Sequence, residues 1–450
     1  TPASRVAAGV VGLGLAVSAW FAPTVIGQAG GGSIPSTSKG EWTHYAADAK
    51  GTRFVPLDQI NGNNFSKLEP AWRFKTDNLG PRPENKLEGT PIMVKGTVYA
   101  TAGTRRAVVA LNAATGELKW MYALDEGERA TRWAPRQLSG RGLSYWTDGR
   151  GDERILYVTT GYRLIELNAK TGQPIAGFGT NGVVDLKVGV VIGKDKQLDL
   201  EKGEIGLHST PTVVNDTVII GSSMFEGLGY RYSTNAKGLV RAFDIKTGKQ
   251  IWRFNTIPGP GEFGNDTWEN GSWEWTGNVG VWTQISVDPA AGLVYLPVET
   301  PTIDEYGGNR PGNNLFAESL VAVDLKTGEV KSLYSEFEGV GLRGPNDIVF
   351  DKNGGFYFTD LGKKLPRVRE LGGLYYAKID GSDVREVAFP AGHHDHFDRF
   401  RDHELLGGDQ FERQRLCCLG HDDIPLRPVQ AASAAMRFAF STASSMVPTM

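Results

Sequence analysis

The stretch VVALNAATGELKW (Val108–Trp120) decides the fold class, because its pattern recurs three more times along the chain. Each copy is a β-rich run followed by Asp or Asn, a short polar turn with Thr-Gly, and a second run. Glycine supplies the positive φ that such hairpin turns need, so each copy predicts an antiparallel hairpin. The other copies are LIELNAKTGQPI (Leu164–Ile175), LVRAFDIKTGKQIW (Leu239–Trp252) and LVAVDLKTGEV (Leu320–Val330).

Further strand-turn-strand segments lie between these copies. They are TPIMVKGTVYAT from Thr90, TPTVVNDTVIIGS from Thr210 and ISVDPAAGLVYLPV from Ile285. The copies recur roughly every 55–80 residues, longer than the ~40–45 of a simple four-stranded blade, and loop insertions can account for the difference. Repeated antiparallel hairpins without helical periodicity predict an all-β fold, a β-propeller of four-stranded antiparallel blades. The alternative, an ordinary β-sandwich, is disfavoured by four copies of one hairpin.

Composition narrows the function classes. The 450 residues carry a net charge of −3, which implies neither nucleic-acid binding nor electrostatic binding to a membrane. The two cysteines, Cys417 and Cys418, are adjacent, so a disulfide scaffold is excluded. No glycine-rich nucleotide-binding motif follows a predicted strand, and no serine nucleophile elbow is present.

The N-terminal segment predicts export. Arg5 precedes an apolar run from Val6 to Ile26, and a small-residue site and a glycine cluster follow. This pattern is typical of a secretory signal over residues 1–29, with a membrane anchor as the alternative. In both cases we expect the following domain in the periplasm or on the outer face of the inner membrane, with membrane contact only through this segment.

Polar clusters at predicted strand ends suggest a binding site. Arg141 lies between two glycines and suits a carboxylate, although a local pair with Asp148 is the plainer interpretation. Ser223 and Glu226 share one turn and suit a polar ligand and a hard cation. Trp268 begins a segment with three tryptophans, which either stack on a planar cofactor or pack between blades.

Residues from about 40 to 329 resemble the quinoprotein glucose dehydrogenase branch of the dehydrogenases that use pyrroloquinoline quinone (PQQ). The motifs are dense and specific. They include GEWTHYAADAKGTRFVPLDQIN, SGRGLSYWTDG, ILYVTTGYRLIELNAKTG, GEIGLHSTPTVV, NTIPGPGEFGNDTWENGSWEWTGNVGVW and LPVETPTIDEYGGNRPGNNLFAESLVAVDLKTG. The resemblance implies an eight-bladed propeller with tryptophan-docking blades, with PQQ and Ca²⁺ (or Mg²⁺) near its axis. This chain is expected to supply fewer blades than that ring.

The resemblance also implies roles for individual residues. Arg141, Thr159, Ser223, Trp268 and Thr300 would contact PQQ, and Glu226 and Asn278 would bind the metal. The implied reaction is oxidation of a sugar, or another alcohol, to a lactone or aldehyde. A quinone or a cytochrome would accept the electrons.

Departures from the family pattern predict impaired catalysis. Asn313 occupies the place of the catalytic aspartate of the alcohol branch. The aspartate of the glucose branch, which follows the last hairpin there, has no counterpart. Asp304 or Glu305 could substitute as the base. Residues 133–137 lack the adjacent cysteines of the alcohol branch, which agrees with the glucose type.

The pattern changes after Val330. Residues 330–390 resemble a blade fragment of the gluconolactonase–regucalcin family, in which Asn346 matches a residue near the metal, but its other ligands have no counterparts. Residues 391–450 show no period and predict an irregular tail, whose His393, His394 and His396 lack support for a metal site. Two alternative functions therefore stay open: a non-catalytic propeller used for binding, and a lactonase-like hydrolase.

Overall fold

The computed structural model describes a nearly all-β chain. The described residues are 35–80, 89–135, 142–224, 235–303, 306–330, 334, 336–342, 345–351, 354–360 and 371–391. The predicted signal or anchor over 1–29 lies outside them, as does the predicted tail after Ala391 with its histidines and both cysteines. Within the described part, no helix is long and apolar enough to cross a membrane.

The first two sheets are four-stranded antiparallel meanders, here called blades 1 and 2. Blade 1 comprises β1 (Ile92–Val94), β2 (Thr97–Ala102), β3 (Ala107–Asn112) and β4 (Leu118–Tyr122). Blade 2 comprises β5 (Ser144–Thr147), β6 (Glu153–Val158), β7 (Arg163–Asn168) and β8 (Val183–Asp185). A small hairpin follows, formed by β9 (Val191–Ile192) and β10 (Lys196–Gln197).

Three further meanders complete the described part. Blade 3 comprises β11 (Thr212–Val214), β12 (Thr217–Ile220), β13 (Leu239–Asp244) and β14 (Gln250–Asn255). Blade 4 comprises β15 (Ser286–Asp288), β16 (Leu293–Val298) and β17 (Ser319–Asp324). After a hairpin of β18 (Glu336–Phe337) and β19 (Val340–Gly341), blade 5 comprises β20 (Pro345–Phe350), β21 (Gly355–Asp360), β22 (Gly372–Lys378) and β23 (Val384–Ala391).

Helical structure is scarce among the described residues. The short helices are α1 (Glu128–Thr131) and the 3₁₀ turns Thr37–Lys39, Phe65–Lys67, Asn265–Thr267 and Glu269–Glu274. The prediction of an all-β fold with propeller blades is therefore confirmed. Blade 4 differs from the expected four strands, because only an isolated bridge between Val323 and Val330 stands where a fourth strand would begin, and residues 331–333 are outside the described part.

Each blade packs face to face on the next, which explains the nearly continuous apolar runs. Along β6, Ile155 and Tyr157 join the core shared with blade 1, whereas Leu156 joins the core shared with blade 3. Side chains alternate between the two faces of a strand, so both faces must be apolar when both are buried. Along β16, Tyr295 and Val294 divide in the same way between blade 5 and blade 3.

Tryptophan indoles seal the junctions between blades at the Thr-Gly turns. Trp120 of blade 1 donates its Nε1–H to the Ala169 carbonyl at 3.0 Å, and a Cβ on Gly172 would lie 2.5 Å from its ring. Gly172 has φ 72°, so it also provides the left-handed conformation of the turn. Trp252 of blade 3 docks in the same way on the last Thr-Gly turn, and Trp72 on the first.

Candidate functional site at the loop end of the blades

The antiparallel meander separates the two ends of every blade. Each Thr-Gly turn comes directly after the third strand of its blade, so these turns share one end, here called the Thr-Gly end. The connections between second and third strands lie at the opposite end, here called the loop end. The described residues of these connections are 103–106, 159–162, 221–224, 235–238, 299–303 and 306–318. Thr159, Ser223 and Thr300 all lie there, although they are far apart in the sequence.

The loop ends of neighbouring blades contact each other directly. The Tyr162 hydroxyl of blade 2 donates a hydrogen bond to the Gly221 carbonyl of blade 3 at 2.8 Å. Ser223 forms a backbone bridge to Gly206, with both N–H···O distances at 2.9 Å. The 159–162 connection of blade 2 and Gly221 of blade 3 therefore adjoin at one side of the blade stack.

Residues 277–281, here called the wedge segment, lie between blades 3 and 4 at the loop end. On one side, Asn278 donates its N–H to the Ala236 carbonyl at 2.8 Å and accepts from the Gly238 N–H at 2.7 Å. On the other side, the Val279 N–H donates to the Thr300 carbonyl at 3.2 Å. The wedge segment thus brings the predicted residues Asn278 and Thr300 together by backbone pairing.

Glycines make the close approach of the wedge segment possible. A Cβ on Gly280 would lie 2.3 Å from the Ser222 carbonyl oxygen, and one on Gly238 would lie 2.1 Å from that of Val279. Both distances are far below van der Waals contact with backbone atoms that cannot move away. Asn278 itself has a positive φ of 64°, which the two flanking backbone hydrogen bonds hold in place.

Asn278 and Ser223 carry buried polar atoms that lack a partner among the described residues. Asn278 is 2% exposed and its Oδ1 accepts no hydrogen bond. Ser223 is fully buried and its Oγ is also without a partner. A buried polar atom without a partner costs about 1–3 kcal/mol, so such atoms point to a ligand or an ordered water. An amide oxygen and a hydroxyl suit a hard cation or a polar cofactor edge.

More such atoms lie at the loop end. They are the side-chain oxygens of Thr101, Thr160, Thr256 and Ser272, and the indole nitrogen of Trp133. The Thr-Gly end is different, because its turn residues are satisfied locally. For example, Asp324 Oδ1 accepts the N–H groups of Lys326 and Thr327, at 2.8 and 2.9 Å. The buried Glu166 Oε1 of blade 2 is an exception, but most of the unpartnered atoms named here lie at the loop end, which favours that end for a ligand.

A buried lysine adjoins the wedge segment. Lys237 pairs with Asn278 in a parallel bridge and is 6% exposed. Its ammonium group donates to the Trp273 carbonyl and lies 4.7 Å from the centre of the Trp273 ring. Burial lowers the pKa of Lys237 to about 8, against the opposing effect of Glu274. Lys237 thus ties the tryptophan-rich segment to Asn278, a connection that the sequence patterns did not indicate.

The Thr159 hydroxyl has partners within the protein. Its hydroxyl donates to Glu126 at 2.9 Å and accepts the Arg163 N–H at 3.0 Å. The single proton of this hydroxyl is therefore already used within the protein. Sequence reasoning missed Glu126, since nothing near it in the sequence marks it as a partner of Thr159.

The tryptophans of the 268–282 region divide into buried and accessible rings. Trp268 is 2% exposed and donates its Nε1–H to the Leu315 carbonyl at 2.6 Å, within the core between blades 3 and 4. Trp282 follows the wedge segment, is only partly buried, and meets the His208 ring edge-on at 6.3 Å between centroids. A stacking platform needs an accessible face, so this geometry favours core packing for Trp268.

Several predicted residues are not placed by the structure. Arg141, Glu226, Asp304 and Glu305 lie outside the described residues, so their convergence with Asn278 stays a prediction. Asn313 is described and is exposed at the loop end of blade 4. The described part contains no group of three or more His, Cys, Asp or Glu side chains that could hold a metal.

Comparison with known families identifies this arrangement. Residues 42–334 match the family described as the beta-propeller domain of PQQ glucose/ethanol/alcohol dehydrogenases. The chain belongs to this family. The resemblance of residues 40–329 to the PQQ-dependent dehydrogenases is thereby confirmed, whereas the gluconolactonase-like nature of residues 330–390 stays a prediction.

The PQQ dehydrogenases that the chain resembles act on different substrates by name. The dehydrogenase subunit of the alcohol dehydrogenase (quinone) of Gluconobacter oxydans (strain 621H) is 34% identical, over 70% of this chain and 40% of that protein. The quinoprotein glucose dehydrogenase of the same strain is 29% identical, over 69% of this chain and 39% of that protein. The quinate/shikimate dehydrogenase (quinone) of Acinetobacter baylyi is 28% identical, over 75% and 45%.

Solved structures agree on the fold. A quinohemoprotein alcohol dehydrogenase from Pseudomonas putida HK5 superimposes with a TM-score of 0.57 at 25% identity, covering 78% of this chain and 48% of that one. The chain thus spans less than half the length of these PQQ-family relatives.

The described residues fit PQQ and its metal in part. Asn278 Oδ1 and Ser223 Oγ are free to bind a cation or a polar cofactor edge, as the family assignment expects. Thr159 fits less well, because its hydroxyl already donates to Glu126. Trp268 also fits less well, because its ring is buried. By contrast, the Thr160 hydroxyl has no hydrogen-bond partner among the described residues, and the Trp282 ring is partly exposed.

Proposed function

We propose that this chain supplies PQQ-binding blades of a dehydrogenase that oxidises a sugar, of the glucose type, or another alcohol. The observation that carries the proposal is the set of buried, unpartnered polar atoms at the loop end of a PQQ-family propeller. When bound, PQQ would supply a hydride acceptor for the substrate C–H group, and its metal would supply a Lewis acid.

In this proposal the chain's own residues bind and orient. Asn278 offers its amide oxygen to Ca²⁺ (or Mg²⁺), and its backbone is held by Ala236 and Gly238. Ser223 contacts the cofactor edge, with Arg141 as the predicted partner of a PQQ carboxylate and Glu226 as the predicted second metal ligand. The Trp282 ring, rather than that of Trp268, is the better placed platform for a planar cofactor.

Localisation and partners follow as parts of the same proposal. The basic and apolar pattern of residues 1–29 supports export to the periplasm or to the outer face of the inner membrane. The electron acceptor would be a quinone or a cytochrome. The absence of cysteines at residues 133–137 supports the glucose type over the alcohol type.

A second candidate function is a propeller that binds PQQ without turnover. The exposed amide of Asn313 favours it, because an amide cannot accept the substrate proton at neutral pH. Both candidates are tested by adding PQQ and Ca²⁺ to the purified chain and recording retained quinone absorbance, followed by a dye-linked assay with glucose and ethanol. Binding with turnover supports the dehydrogenase, binding alone supports the second candidate, and no binding refutes both.

A further inference from the structure

One buried carboxylate, that of Glu126, accepts hydrogen bonds from the connection between β6 and β7, residues 159–162. The Glu126 side chain is 3% exposed. It accepts hydrogen bonds from the Thr159 hydroxyl at 2.9 Å and from the Gly161 N–H at 2.8 Å. The Arg163 guanidinium completes its coordination with a hydrogen-bonded ion pair. Two donors of this connection and one from the first residue of β7 therefore converge on Glu126.

A buried arginine holds the same connection from its other side. Arg129 has a fully buried side chain, and its Nε–H donates to the Gly161 carbonyl at 2.7 Å. Its two terminal nitrogens pair with the Asp185 carboxylate. Gly161 is thus fixed through both its N–H and its carbonyl. A Cβ at this position would lie 2.6 Å from Glu126 Oε1, so no larger residue fits without moving the carboxylate.

Thr160 lies between Thr159 and Gly161, which are both hydrogen-bonded to Glu126, but its own side chain has no such bond. Its Oγ1 is inaccessible to solvent and has no hydrogen-bond partner among the described residues. The neighbouring hydroxyl of Thr159 donates to Glu126. Of the two adjacent threonine hydroxyls, therefore, only that of Thr160 makes no hydrogen bond within the described part of the protein. An unmade hydrogen bond of a buried hydroxyl is unfavourable, which indicates that a ligand acceptor completes it.

We propose that Thr160 donates a hydrogen bond to an oxygen at the anionic edge of the quinone cofactor, and that Glu126 is the positioning residue for it. This inference rests on the proposed function, since it needs PQQ at the loop end. It assigns the contact to Thr160 in place of Thr159, whose hydroxyl donates to Glu126. Glu126 acts on the ligand only through the 159–162 connection.

The test uses the full chain in the presence of Ca²⁺, titrated with PQQ while tryptophan fluorescence is recorded. We expect Thr160→Val to raise the Kd for PQQ about tenfold, with no decrease in the Tm of the PQQ-free chain. Thr159→Val is its matched comparison, and Glu128→Gln is the control for Glu126, because Glu128 is exposed on the same segment. Glu126→Gln should raise the Kd and also speed amide hydrogen exchange at Gly161.

The outcomes separate the two proposals. Failure of the unaltered chain to bind PQQ refutes the proposed function and this inference with it. Normal binding by the unaltered chain and by Thr160→Val overturns the inference alone, as does a loss of affinity in Thr159→Val but not in Thr160→Val. If the effects of Glu126→Gln and Thr160→Val add fully in the double variant, Glu126 does not act through Thr160 and its positioning role is wrong.

Discussion

Arg154 donates a hydrogen bond from Nη1 to the Ile245 carbonyl at 3.1 Å, across the junction between blades 2 and 3. At three other Thr-Gly turns, the carbonyl in this position accepts a tryptophan Nε1–H instead. The Arg154 guanidinium also donates hydrogen bonds to the carboxylates of Asp152 and Glu166, which fix its position. The Glu166 side chain is fully buried. A charged network therefore replaces the indole where blade 2 lacks a docking tryptophan.

This network predicts a pH-dependent stability. Burial raises the pKa of Glu166 from 4.5 to about 8, although the Arg154 charge opposes the shift and Asp152 and Asp244 add to it. Because the folded state holds this proton more tightly than the unfolded state, stability should fall as the pH rises from about 4.5 to about 8. Glu166→Gln should flatten the dependence of Tm on pH across this window. An equally steep decline in the variant would show that other groups cause it.

Tryptophan docking predicts a local contribution to stability. Trp120→Phe removes the hydrogen bond to the Ala169 carbonyl and part of the packing on Gly172, and should lower the free energy of unfolding by about 1–3 kcal/mol. Leu118→Ala is the matched control, since Leu118 is 45% exposed on the same strand. Urea denaturation measures both. A loss in the control as large as in Trp120→Phe would contradict the docking role.

Removal of the Asn278 amide should weaken cation binding. Asn278→Ala deletes the unpartnered Oδ1, and we expect the affinity for Ca²⁺ or the luminescent probe Tb³⁺ to fall about 10–100-fold. Asn63→Ala removes an exposed amide outside the predicted site and serves as the control. Equal Tb³⁺ affinity in the two variants would mean that Asn278 is not a ligand.

Turnover should be low even after reconstitution. A positioned general base contributes about 10²–10⁴-fold to such reactions, and the base position of the alcohol branch holds Asn313. We expect dye-linked rates below those of the Gluconobacter oxydans relatives by that factor, and a higher rate for Asn313→Asp. Rates comparable to the relatives would show that another carboxylate, such as Asp304 or Glu305, is the base.

The repeated hairpins were predictable because their causes are local. An Asp or Asn whose side chain accepts nearby N–H groups, followed by a glycine with positive φ, specifies the turn from within a few residues. The repetition of these hairpins and the family motifs predicted the propeller blades. The chain itself therefore determined which end of each blade carries turns and which carries the longer connections.

Contacts between distant segments decided the rest, and only the tertiary structure shows them. The Thr159 hydroxyl donates to Glu126, which lies 33 positions away in the sequence. A motif match therefore could not show which of the two adjacent threonine hydroxyls has no partner within the described part of the protein. Trp268 is buried against Leu315 and Phe316, which no local pattern distinguishes from an open stacking platform. Hydrogen-bond capacity and burial depend on which segments the fold brings together, and that information is spread over the whole chain.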